Sequence, residues 1–73
     1  MLNDRLAAAQ LIQEKLYAAE AAIDEALARA SELTAAVPVA RRRANIAATV
    51  GQDAIALSVE AITALVDARA KLV

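Results

Sequence analysis

Apolar residues recur every seven positions through the first half of the chain: Leu2, Ala9, Leu16, Ile23, Ala30 and Val37. Ile12, Ala19, Ala26 and Leu33 form a companion set three residues further on. Alternating steps of three and four place both sets on one stripe of an α-helix, the a/d pattern of a coiled coil. Leu6 and Leu27 widen the stripe on one flank, and Glu14, Glu25, Arg29 and Glu32 fall opposite it. Glu25 and Arg29 stand four apart in the favourable order for a helical ion pair. The residues expected at the intrachain seam are Ile12, Leu16, Ala19, Ile23, Ala26, Ala30 and Leu33. Many of the stripe positions are alanine, and small side chains let helix axes approach closely.

The second half is patterned differently. Asp53, Glu60, Asp67 and Lys71 fall on one thin polar line, and nearly everything else is apolar. Ala47, Ala54, Ala61 and Ala68 make one row, flanked by Val50, Leu57 and Ala64. Ile55, Val59, Ile62, Val66 and Val73 make another, well around the cylinder. At 100° per residue the apolar arc covers roughly 200°, twice the ~100° stripe of a helix packed on one neighbour. One partner helix cannot cover that. The pattern therefore predicts an oligomer interface on this helix, with Ala47, Val50, Gly51, Ala54 and Ile55 in its first half. Leu57, Val59, Ile62, Leu65 and Val66 complete it.

Between the two patterns lies Ala36-Val37-Pro38-Val39. A residue before proline is biased away from helical geometry, and proline itself suits a first-turn position, where its missing N–H costs nothing. The expected architecture is an all-α, antiparallel two-helix hairpin, an alanine-rich coiled coil that packs into an oligomeric bundle or larger assembly. It forms a single domain over residues 1–73, with helix 1 at about 3–36, capped by Asn3 or Asp4. The turn falls at about 36–39 and helix 2 at about 39–72. In that register residues whose numbers sum to about 75 face each other, so Glu32 meets Arg43 and Asp4 meets Lys71. Gly51 falls on the apolar side, where it marks a close helix crossing that excludes a Cβ, or else a flexing point.

Composition supports this picture. Of 73 residues, 22 are alanine and 20 are Leu, Ile or Val, with one Gly and one Pro. Alanine is the strongest helix former, and a strand-rich fold needs more turns than two breakers allow. A chain this small rarely builds a sufficient core alone; the lack of Cys excludes disulfides, and a structural zinc site is not expected without Cys or His ligands. Association is the remaining route to stability. Net charge is −1, but residues 1–36 carry −3 and residues 37–73 carry +2, a balance that suits pairing of the two halves.

The same absences thin out the chemistry. With no His or Cys and no motif around Ser, Thr or Tyr, no catalytic constellation is visible, and an enzyme is not expected. The single Gly rules out a phosphate-cradling glycine loop. Glu20 and Asp24 share a helix face but lack the Glu-x-x-His of a di-metal bundle, and read as solvated carboxylates. No cofactor or metal is implied. Tyr17 reads as a boundary packing residue, and there is no aromatic series on which bases could stack.

Arg41-Arg42-Arg43 is the one charge run. Placed in the first turns of helix 2 it would oppose the helix dipole, so either local ion pairs or a bound anion should compensate. Nucleic acid, a lipid headgroup and an acidic partner surface are the candidate ligands.

A membrane span is not expected, because Asp53 and Glu60 interrupt the most apolar window. No secretory signal is seen, and a cytoplasmic or within-particle location is expected. Association with a membrane surface ranks below the other readings, since Trp, Phe and a basic polar face are missing from helix 2. The functional expectation is a self-assembling structural subunit whose partner is another copy of itself, with another helical protein as the second choice of partner. The alternative is a small dimeric nucleic-acid-binding regulator that uses Arg41, Arg42 and Arg43.

Overall fold

The computed structural model describes residues 1–73 as two α-helices packed against each other and no strand. Helix α1 runs Leu2–Ala44, and α2 runs Ala48–Leu72. The molecule is a rod of 65 × 17 × 11 Å. At 1.5 Å per residue, 43 residues give about 65 Å, so α1 alone sets its length. The two-helix hairpin is as expected, but the turn is not at residues 36–39. It lies at residues 45–47, and the arms are unequal.

Two local features explain the shift. Pro38 sits inside α1. It withholds a backbone bond from the carbonyl of Thr34, a cost of about 3 kcal/mol in a helix interior. Strong helix formers surround it: Ala35, Ala36, Ala40, Arg41 to Arg43 and Ala44. Thr34, Val37 and Arg41, on either side of the proline, are all partly buried against α2. Burial of this turn carries the helix through. The actual stop is Asn45, in the left-handed conformation at φ 54°, ψ 39°. Asparagine tolerates that region better than other non-glycine residues. The Ile46 N–H then reaches back to the Arg41 carbonyl at 3.2 Å, the long bond of a Schellman motif.

The register follows from the new turn. Thr34 meets Ser58, Arg41 meets Gly51 and Asp24 meets Arg69, so facing residues sum to about 92 rather than 75. Glu32 therefore bonds Arg29 on its own helix instead of Arg43, and Asp4 lies 3.8 Å from the chain's amino group instead of near Lys71. Helix α1 also begins earlier than expected, with Met1 rather than Asn3 or Asp4 at its N-cap. The electrostatic complementarity of the halves dissolves as well. Helix α1 holds six acids and six bases, while α2 holds three acids and two bases.

In this register α2 ends opposite residue 20 or so of α1, and the first turns of α1 project as a free arm. Leu2, Leu6, Leu11 and Ile12 are all exposed there.

Candidate interaction surface

The seam is a ladder of half-buried residues. On α1 it runs through Leu16, Ala19, Glu20, Ile23, Ala26, Leu27, Ala30, Thr34, Val37 and Arg41. On α2 it runs through Gly51, Ile55, Ser58, Ile62, Leu65, Ala68 and Leu72. Only Gly51 and Ser58 are fully buried, and no apolar side chain is. Of the residues expected at the intrachain seam, Leu16, Ala19, Ile23, Ala26 and Ala30 are in place. Ile12 and Leu33 are not, being 68% and 57% exposed. Ile12 lies on the arm beyond the reach of α2, and Leu33 is rotated onto a flank.

The residues expected at an oligomer interface divide three ways. Gly51, Ile55, Ile62 and Leu65 face α1 and belong to the seam of their own chain. Val50, Ala54 and Leu57 stay exposed on one side of the hairpin, with Ala47 at the helix cap. Val59 and Val66 stay exposed on the other side. The grooves between the helices confirm these sides. One is lined by Ala40, Val50 and Ala54 beside the seam residues Val37, Arg41 and Gly51. The other is lined by Pro38 and Gln52 beside Arg41, Gly51 and Ile55.

Helical geometry extends each side along the rod. The first is apolar on both helices: Ala22, Ala26, Leu33, Ala36 and Ala40 with Val50, Ala54, Leu57, Ala61 and Ala64. The second pairs the valines of α2 with Tyr17, Asp24, Ser31 and Pro38 of α1. The two broad faces of one hairpin thus differ sharply in polarity. The acidic line of Asp53, Glu60 and Asp67 runs down the edge of α2 away from α1.

Gly51 behaves as a close-approach residue, but the neighbour is a side chain. A Cβ there would stand 2.8 Å from Cδ of Arg41, whose aliphatic stem lies across the glycine. The Arg41 Nε is buried there without a hydrogen-bond partner. Arg42 and Arg43 are exposed and make no ion pair. All three arginines sit in the last turn of α1 rather than the first turns of α2. There they complement the negative end of the helix dipole, and the expected conflict is absent.

Two polar contacts cross the seam that the sequence pattern did not reveal. Thr34 Oγ1 lies 2.9 Å from Ser58 Oγ and 3.0 Å from the Ala30 carbonyl, and its one proton serves either. Ser58 donates to the Ile55 carbonyl at 2.8 Å. The signal for Ser58 was its position seven after Gly51 and four before Ile62. Arg69 Nε donates to Asp24 at 2.7 Å. That hydrogen bond and the Asp24 charge raise the guanidinium above its ordinary value, with Glu20 adding a smaller push. Asp24 is therefore the ion-pair partner of Arg69, while Glu20, half-buried one turn before it, makes no ion pair. Tyr17 is exposed at the boundary as expected, its hydroxyl accepting from Gln13 at 2.9 Å.

No group of three or more acidic side chains is placed to hold a metal ion. By length and composition α2 could cross a membrane, with a mean hydropathy of 1.3 over its most apolar stretch. A core helix of a soluble bundle meets the same description. No protein-family model, no curated protein and no solved structure matches the chain.

Proposed function

We propose that this chain is a structural subunit that assembles with copies of itself. One observation carries the reading: a hairpin of 73 residues in which no apolar side chain is fully buried. Hydrophobic burial is the main driving force for folding, and a stable domain normally hides a set of large side chains completely. Here Leu33, Val50, Leu57, Val59 and Val66 remain between 48% and 64% exposed on the paired part of the hairpin. Exposed surface of that kind marks an association site.

The test is the solution mass measured by light scattering over a concentration series. A discrete oligomer or a larger particle is expected. A stable, helical monomer at all concentrations would sink the reading.

A second reading, a nucleic-acid-binding regulator, draws on the unpaired Arg42 and Arg43 at the tip. If it holds, Arg42→Glu abolishes binding to duplex RNA or DNA, and wild-type affinity falls steeply with salt. Equal binding by the variant, or none by wild type at low salt, removes it.

A further inference from the structure

We infer that the alanine-rich face of the hairpin is the surface on which a second copy of this chain packs. The inference rests on the self-assembly reading and assigns it a face. Its residues are Ala26, Leu33 and Ala40 on α1, with Ala54, Leu57 and Ala61 on α2.

A folded monomer of 7.6 kDa exposes about 4,300 Å² by the usual scaling of surface with mass. This chain exposes 5737 Å², an excess of about 1,400 Å². Hiding that much on each of two chains would bury about 2,800 Å², within the range of permanent homodimers.

Charge distinguishes the two faces. On the α1 side of the alanine-rich face the charged side chain nearest its centre is Arg29, bonded to Glu25 at 2.8 Å and Glu32 at 3.0 Å; Asp53 and Glu60 flank Leu57 toward the outer edge of α2, and Arg43 lies beside Ala40. Covering the strip between those edges takes no cross-helix ion pair out of water. The opposite face carries the Asp24–Arg69 pair, about half exposed on both sides. Covering it would take that pair out of water, a desolvation cost that its attraction often fails to repay.

Leu33 and Leu57 stand at nearly the same level of the hairpin, near the middle of its paired length, and both are largely exposed. Alanines extend from them in both directions. A central apolar ridge in a field of small residues suits close helix packing and self-complementary, two-fold pairing. A different protein is not required to supply a matching surface, because the face can match its own copy.

The chain contains no cysteine, so single-cysteine variants report without background. Ala61→Cys lies on the inferred interface and Val59→Cys on the opposite face. In the native oligomer, maleimide labelling of Ala61→Cys should be at least about tenfold slower than labelling of Val59→Cys. The difference should vanish in denaturant. Equal rates, or protection of Val59→Cys alone, in a protein that is oligomeric by light scattering would overturn this assignment while leaving self-assembly standing. A monomer at all concentrations would overturn both and leave the face to another protein. Leu57→Glu should convert the oligomer to monomer with its helical circular dichroism retained, and Val59→Glu should not change the mass. Unchanged mass of a folded Leu57→Glu protein would also overturn the assignment.

Discussion

Residues 2–15 and residues 16–41 of α1 belong to one continuous helix with one heptad rhythm, yet only the second stretch lies against α2. The arm has apolar residues at the right spacing, in Leu2, Leu6, Ala9 and Ile12, and nothing opposite them. The difference shows that a heptad stripe specifies a face and not a neighbour. It also separates two sources of helix stability. The paired stretch gains from burial, whereas the arm relies on propensity and on being an extension of a formed helix. An isolated helix of that length is marginal in water.

The comparison is broken most directly by placing the same charge in each stretch. Ile62→Asp puts a carboxylate in the seam and should cost about 2 kcal/mol or more, seen as loss of the cooperative thermal transition. Ile12→Asp on the arm should cost less than about 0.5 kcal/mol in dilute protein. Equal costs would mean that the arm is covered in solution. A smaller effect is expected at the turn that sets the arm's length. Asn45→Val should destabilise by about 1–2 kcal/mol, because a β-branched residue resists the left-handed region, while Asn45→Gly should leave the melting temperature unchanged or raise it.

Gly51 gives a subtler test at the tightest point of the paired stretch. Gly51→Ala should be close to neutral alone, since a helix-propensity gain of about 1 kcal/mol is offset by displacement of the Arg41 stem. In an Arg41→Ala background the same substitution should recover that gain of about 1 kcal/mol in chemical denaturation. Additivity of the two changes would show that Arg41 does not lie on the glycine in solution. The smallest effect belongs to the half-exposed ion pair that closes the far end of the paired stretch. Asp24→Asn should cost no more than about 1 kcal/mol, and less in high salt.

Much of this organisation was legible in the sequence. The 3–4 spacing of Leu16, Ala19, Ile23, Ala26 and Ala30 located the paired face of α1, and the paucity of breakers fixed the helical class. The turn was misplaced because Val37-Pro38 is a stronger local signal than Ala44-Asn45-Ile46. Local rules do not register that the turns around Pro38 are packed on α2. Once the turn moves, everything that depended on register moves with it: the facing pairs, the balance of charge between arms and the dipole environment of the arginines. The width of the α2 arc predicts contact with α1 and with other chains, but not which residue serves which. The helix divides it into a seam and two unlike flanks, a distinction that required knowing where α1 lies. Thr34 and Ser58 stand at seam spacing, Ser58 seven after Gly51, but a short hydroxyl residue interrupts an apolar stripe rather than extending it.

The three-residue turn also has a kinetic meaning. Cross-helix contacts span only 24 residues at Thr34–Ser58 and 45 at Asp24–Arg69. Each successive rung closes a loop only slightly larger than the one before, at a small added entropy cost. Pairing should therefore start at Arg41 and Gly51 and run outward like a zip, the ordering expected of a fast folder dominated by local contacts. The rungs nearest the turn form first, and the Asp24–Arg69 pair closes late, with the end of the seam at Leu16, Ala19 and Leu72 after it.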